Sequence, residues 1–315
     1  MELRVFNDAE LSIALGAARA VELRPSQDQD GLLAAVARLH GVELDPKQLP
    51  QPSLAYTARV FRDSASKRRL LELATVLTVD DCEIPPVPSP RVSLLARALG
   101  ESDRDARVLR ERAAYQKLLA RVDFTRRMAA RMFGDEWPSE PPLGVQKPAP
   151  GPLEAQENAA VAKRYHALGR LHPMSFGYAL WNHYRANHFR FPGEGGGVPE
   201  RLLWHDVGHV LSGYDTTPEG EIQQAAFQSG LERDFGVMSL YLGILQFQFF
   251  GRVSPRADAH PKELCNEKLD LALERGSACR AGIGEGWDFW PLVAQHLSDV
   301  RRTLGIVPIR CGCAA

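Results

Sequence analysis

Two histidines lie four residues apart in this chain, at positions 205 and 209, and an aspartate follows the first of them. Successive residues of an α-helix advance by about 100°, so His205 and His209 would lie about 40° apart on one helix face, where both can bind one metal ion. Asp206 borders that face, about 60° from His209, where its carboxylate can join the ligands or orient an imidazole. These residue types predict a metal site.

A fourth ligand is predicted in the segment that follows. Thr216 and Glu219 have the spacing of a capping box, and Pro218 suits the first turn of a helix, so a second helix is predicted to begin here. Glu219 then has a structural role at the helix start, whereas Glu221 has none, and we predict Glu221 as the ligand. Two histidines with one or two carboxylates suit Zn(II), Fe(II) or Mn(II) and leave coordination positions open, as in catalytic sites.

Local signals predict a buried helix over residues 199–212, which carries the two histidines. Pro199 suits its first position and Gly213 its end. Apolar residues fill the rest of this helix, so the polar side chains on it are expected to be buried and to need a partner. The partner is either a bound cation or, in the alternative interpretation, hydrogen bonds alone. A His-Glu-x-x-His metalloprotease is not predicted, because Asp206 stands where that motif has its general-base glutamate.

The motif resembles the hallmark of the coenzyme Q biosynthesis protein 4 family, which is His-Asp-x-x-His, eleven residues and Glu. In this chain the four residues are His205, Asp206, His209 and Glu221. The resemblance covers roughly residues 160–309 and includes residues 211–213, 220–222 and, more loosely, 301–306. It implies an all-helical domain, a bound divalent metal, a hydrophobic cavity for a polyprenylated aromatic ring, and a role in ubiquinone biosynthesis.

The same resemblance implies a reaction and partners. The reaction is oxidative removal of the ring carboxyl group at C1, and the partners are other quinone-biosynthesis enzymes that the protein helps to organise. The chain departs from the family in residues 200–204, before the motif, and in having an N-terminal half that typical members lack. A pathway other than ubiquinone synthesis therefore stays open.

Two other functions stay open. One is a non-catalytic scaffold or lipid-binding protein that holds a quinone precursor and partner enzymes. The other is an HD-type metal-dependent phosphohydrolase, which we rank lower because it leaves His209 and Glu221 unused. Its ligands would be a first histidine, then a His-Asp pair, then a later aspartate. In this chain the first histidine would be His172, His183 or His188. The pair would be His205 and Asp206, and the later aspartate would be Asp234 or Asp258.

Histidines are frequent upstream of the motif. Any of them is a candidate for an extra ligand or an outer base, although ordinary surface histidines are the more usual case. The four are His166, His172, His183 and His188. Downstream, Asp288 is predicted to cap a turn or helix rather than to act as a catalytic acid.

A long uncharged run covers residues 235–251. It falls short of a bilayer span, and Gln246 and Gln248 interrupt its end, so a helix in the protein core is the favoured prediction. The alternatives are an isoprenoid tunnel or a surface that contacts the membrane peripherally.

A proline-rich segment predicts the domain organisation. Six prolines lie between residues 137 and 153, a density that excludes helix and is typical of a semi-extended linker. We predict a helical interaction domain over residues 1–134, the linker over 135–157, the metal-binding helical domain over 158–310 and a tail over 311–315. Both domains are predicted to be all-α, with N-terminal helices over residues 8–23, 32–39, 54–77, 90–99 and 103–133.

Within the N-terminal half, residues 70–84 resemble the core signature of tellurite-resistance TerB-like helical domains, in which an apolar helix ends in an acidic turn. The resemblance covers roughly residues 55–133. A metal role for Asp80, Asp81 and Glu83 is one interpretation, and a solvated helix end is the favoured one. A module without evident chemistry is predicted to position its partner domain.

Composition limits the remaining function classes. The 315 residues exceed the usual size of one domain, and a formal net charge of -1 gives no general attraction to nucleic acid. Charged residues from Glu2 onward interrupt any apolar signal core, so a cytoplasmic location is expected, with peripheral membrane contact open. Five cysteines, including the pair at 311 and 313, fit reduced thiols better than a disulfide framework. Homo-oligomerisation is left open.

Overall fold

A computed structural model describes residues 6–78, 89–133, 157–232, 236–253, 264–280, 282–284 and 286–309 of the protein. The regular structure of these residues is helical and includes no strand, which confirms the predicted all-α class. The α-helices of the described part are α1 (Asp8–Arg19), α2 (Gln27–Leu39), α3 (Leu54–Val60), α4 (Ser64–Leu77), α5 (Pro90–Ala98), α6 (Asp103–Phe133), α7 (Ala159–Ala167), α8 (Phe176–Ala186), α9 (Trp204–Ser212), α10 (Pro218–Leu231), α11 (Gly236–Val253), α12 (Asn266–Ser277) and α13 (Leu297–Leu304).

Side-chain caps set where the helices of the N-terminal half begin. Helix α2 starts earlier than predicted, because Ser26 and Gln29 form a capping box in which each side chain accepts from the backbone N–H of the other. The predicted start after Asp30 is wrong, and Asp30 instead forms an ion pair with Arg19 at 2.9 Å. The predicted helix over residues 54–77 is two helices. Asp63 accepts a hydrogen bond from the amide of Ser66 at 2.9 Å and so starts α4 after the extended residue Phe61.

The uncharged run forms α11, which is a core helix as predicted. It packs against α10 and also against α2 and α4 of the N-terminal half. Most of its described apolar side chains are buried, among them Met238, Tyr241 and Ile244. None of the described helices combines the length and the apolarity that crossing a membrane requires.

The chain divides into two compact units. The first comprises Met1–Leu118 and Thr217–Ser277, and the second comprises Leu119–Thr216 and Ala278–Ala315. Helices α10, α11 and α12 pack in one unit with the N-terminal helices, and the domain boundary predicted over residues 135–157 stays a prediction. Apart from Glu157, the predicted linker and the tail lie outside the described residues.

Candidate metal centre

Helix α9 carries the two histidines of the motif. Helix α9 begins at Trp204, after a 3₁₀ turn over Glu200–Leu202, so the predicted start at Pro199 is wrong and the predicted end at Ser212 is confirmed. Gly213 ends the helix in the left-handed conformation, with φ 84°. Arg301 of α13 donates to the carbonyls of Val210 and Leu211 at 2.8 and 2.9 Å, and this fixes the end of the helix.

The imidazoles of His205 and His209 converge through their Nε2 atoms, which lie 3.2 Å apart. The Nδ1 of the buried His209 lies 3.0 Å from the carbonyl oxygen of Tyr214. A carbonyl can only accept, so Nδ1 carries the proton and Nε2 is the unprotonated nitrogen that a metal requires. With Zn–N bonds of about 2.0–2.1 Å, two tetrahedral ligands lie about 3.3 Å apart, close to the separation observed here.

Helix α10 carries the predicted glutamate. Its N-cap is Thr217, whose side chain accepts from the amide of Gly220 at 3.1 Å, so the predicted cap at Thr216 is wrong by one residue. The hydroxyl of Thr216 donates instead to the Asn187 side chain at 2.6 Å. Pro218 occupies the first turn, as predicted.

Two acidic residues in the first turn of α10 differ in their surroundings. Glu219 forms an ion pair with Lys268 rather than the predicted capping box. Glu221 is buried, with 8% of its surface exposed. One ligand atom from each of His205, His209 and Glu221 lies within 4.8 Å of the others. Three of the four predicted ligands therefore come together.

Asp206, the fourth predicted ligand, has other partners. Arg126 of α6 binds both of its carboxylate oxygens, and the Tyr184 hydroxyl donates to one of them. Burial alone would raise the pKa of Asp206, but the Arg126 guanidinium outweighs it and holds the pKa well below its usual range. Burial and the charge of Asp206 raise the pKa of Tyr184 well above its usual value, so that phenol stays protonated and donates.

Neither partner could be predicted from the residue pattern. Arg126 is one of eight arginines in α6 and lies 80 positions before Asp206. Tyr184 lies among other aromatic residues on α8. Only the packing of three helices distinguishes either residue from its neighbours.

One of the four upstream histidines joins this site. The ring of His183 stacks on that of His209, with centroids 5.7 Å apart, and its Nε2 lies 3.9 Å from a carboxylate oxygen of Asp206. The other three have different surroundings. The Nε2 of His166 lies 2.8 Å from Glu194, the Nδ1 of His172 accepts from the amide of Met174, and His188 is exposed.

Some predicted residues lie elsewhere. Asp288 accepts from the amide of Trp290 at 3.1 Å, which confirms its predicted role as a turn cap. The TerB-like acidic turn, the two later aspartates of the HD-type interpretation and the C-terminal cysteine pair lie outside the described residues. They are Asp80, Asp81, Glu83, Asp234, Asp258, Cys311 and Cys313.

A small pocket that is open to solvent lies beside α10 and α12, with a volume of about 30 Å³. Ile222, Phe247 and Leu269 supply apolar lining, and the Glu219–Lys268 ion pair also lines it. This volume is far below that of small-molecule sites, about 300–1,000 Å³.

Comparisons with known proteins give a remote likeness. The chain is similar to the crystal structure of a protein from Nostoc punctiforme provisionally described as a ubiquinone biosynthesis protein, at 20% identity, over 77% of this chain and 98% of that one. The TM-score is 0.32, which is too low to establish a shared fold. No family model and no curated protein matches the chain.

Proposed function

We propose that the protein binds a divalent metal ion through His205, His209 and Glu221. The observation that carries this proposal is the approach of the two Nε2 atoms to 3.2 Å, with a Glu221 oxygen in the same group. The Tyr214 carbonyl supports it by fixing the His209 tautomer in which Nε2 can coordinate. Two imidazoles and one carboxylate fit Zn(II) or Fe(II), and also Mn(II).

The donor set suits a reactive centre better than a closed structural one. Three protein ligands leave a position for water or substrate, where a bound ion would supply Lewis-acid chemistry or, as iron, redox chemistry. The residues of the chain fix the ligand atoms. Tyr214 orients His209, and His183 stacks on the same ring.

We further propose that the metal centre serves ubiquinone-type biosynthesis, with a polyprenylated aromatic ring as substrate and oxidative decarboxylation at C1 as the reaction. The support is the resemblance of the motif, read at His205, Asp206, His209 and Glu221. An HD-type phosphohydrolase fits less well, because it needs its aspartate as a ligand and both oxygens of Asp206 are bound by Arg126.

The proposed metal site is tested by replacing Glu221 and, as a matched control, Glu219 in the same helix turn. Removing a residue that only hydrogen-bonds a metal ligand lowers metal affinity by about 10- to 100-fold. Loss of a ligand itself, in Glu221→Gln, should therefore lower the affinity by more than about 100-fold. Glu219→Gln, which removes the charge paired with Lys268 and touches no proposed ligand, should bind like the unmodified protein. Calorimetric titration of the metal-free chain with Zn²⁺ measures both. Equal affinity of the two variants contradicts the proposal.

The same variant separates an enzyme from a scaffold. If the ion is catalytic, Glu221→Gln loses turnover of a prenylated aromatic acid while its melting temperature changes little. If the ion is structural, the melting temperature falls instead. Mass spectrometry of lipids extracted from the purified protein identifies the ligand class. A prenylated aromatic acid supports the quinone pathway, and a phosphate ester contradicts it.

A further inference from the structure

The carboxylate of Asp206 is engaged on both oxygens. Arg126 Nη1 donates to Oδ2 at 2.7 Å, Arg126 Nη2 donates to Oδ1, and the Tyr184 hydroxyl donates to Oδ2. An ionised carboxylate has about four lone-pair sites, and three of them are filled here. Only 1% of Asp206 is exposed. Its charge is therefore already compensated without a metal ion.

Arg126 is itself held in place. Its guanidinium lies 4.2 Å above the centre of the Phe189 ring, and 11% of its side chain is exposed. Stacking on an aromatic face leaves the guanidinium edge pointing outward, and that edge forms the two parallel bonds to Asp206. A lysine could place its charge over the ring but could not form the two parallel bonds.

The ion pair ties α9 to its neighbours at the turn that carries the histidines. Asp206 follows His205 directly, and its partners come from α6 (Arg126) and α8 (Tyr184). The ligand atoms that lie within 4.8 Å of one another come from His205, His209 and Glu221, and Asp206 is not in this group. If Asp206 released Arg126 to reach an ion, a buried charge would lose its partner, which is strongly destabilising.

We propose that Asp206 is a positioning residue rather than a metal ligand, and that Arg126 acts through it to fix the two imidazoles. This inference rests on the proposed metal centre. It gives α6 a function, because α6 lies outside the part of the chain that resembles the quinone-biosynthesis family. The aspartate of the motif then orients the histidines that bind the ion and does not bind the ion itself.

The test uses Co²⁺ bound to the full-length chain, because the visible spectrum of Co(II) depends on the number and type of its ligands. The variants are Asp206→Asn, Arg126→Met and the double variant. Each single variant should weaken Co²⁺ binding by about 10- to 100-fold and keep the spectrum of the unmodified protein. The double variant should bind no more weakly than the weaker single variant, because the two residues act as one unit. Arg126→Lys should bind Co²⁺ more tightly than Arg126→Met but less tightly than the unmodified protein.

A matched control removes another partly buried ion pair, Arg19–Asp30, in the other compact unit. Arg19→Met should leave Co²⁺ affinity and spectrum unchanged, even if it lowers the melting temperature. A changed Co²⁺ spectrum in Asp206→Asn would show that Asp206 is a ligand and would overturn the inference alone. Additive losses in the double variant would overturn it too. If the unmodified chain does not bind Co²⁺, the proposed metal centre is wrong, and the inference about Asp206 is wrong with it.

Discussion

Neighbouring side chains decide the charge of three enclosed carboxylates among the described residues, Asp206, Glu232 and Glu72. Burial raises the pKa of each, but only Asp206 has a guanidinium on both oxygens, and its pKa falls. Glu232 pairs with Arg112 and hydrogen-bonds Gln116, yet its pKa stays raised. Glu72 has Arg68 no nearer than 3.9 Å, and burial raises its pKa to about 8. Two of the three are thus held against ionisation.

Glu72 should make stability depend on pH. Its pKa is about 8 in the folded protein and about 4.5 when exposed, so its contribution to stability is fully present below about pH 4.5 and is lost as the pH rises to about 8. The loss is about 1.4 kcal/mol for each unit of pKa difference. Glu72→Gln should remove this slope, whereas Glu274→Gln, at an exposed position of α12, should keep it. Urea unfolding at several pH values measures both, and parallel profiles for Glu72→Gln and the unmodified chain refute the assignment.

Helix spacing predicted that His205 and His209 share one helix face, whatever surrounds it. The offset of Glu221, the third residue that the structure brings to them, came from the resemblance of the motif. The role of Asp206 could not be predicted in the same way. Its position beside the histidines suits a ligand equally well, and the residue that binds it lies 80 positions away. The spacing of residues along the sequence does not indicate which distant residues will pair.

At the scale of helices, α10 and α12 cross with their backbones in contact. A Cβ atom added to Gly230 would lie 2.2 Å from the carbonyl oxygen of Leu273, and one added to Gly276 would lie 2.0 Å from that of Phe227. Backbone atoms cannot move aside as a flexible side chain can. The two glycines therefore allow the close crossing, which holds the helix that bears Glu221.

Gly230→Ala should force these helices apart. We expect the free energy of unfolding to fall by about 1–3 kcal/mol or more, since the added methyl overpacks a backbone contact. Gly284→Ala is the control, because a Cβ there would meet no atom within 4 Å. Thermal unfolding of both variants gives the comparison. A loss in Gly230→Ala no larger than in the control would mean that the crossing is looser than described.

Helix positions were predicted better than helix limits. Apolar periodicity placed α1, α5 and α6, but the break between α3 and α4 depends on the single cap at Asp63. The start of α10 was misplaced by one residue because Thr216 and Thr217 are both competent caps, and contact with Asn187 takes one of them. Such choices depend on neighbours that are distant in the sequence.

At the scale of the whole molecule, the all-α class followed from periodicity alone, whereas the grouping of helices did not. The proline-rich segment is a local signal and predicted a boundary at residues 135–157. The two compact units place Thr217–Ser277 with the N-terminal helices. The long uncharged run in α11 has to be buried, but its sequence does not specify that α2 and α4 bury it.

The most direct test of the metal centre is elemental analysis of the full-length chain purified without chelators. We predict about one equivalent of zinc, iron or manganese per chain, because two imidazoles and a carboxylate are assembled for it. The ion should be absent from the variant carrying both His205→Ala and His209→Ala. No stoichiometric metal in the unmodified chain, or the same content in the double variant, would contradict the account.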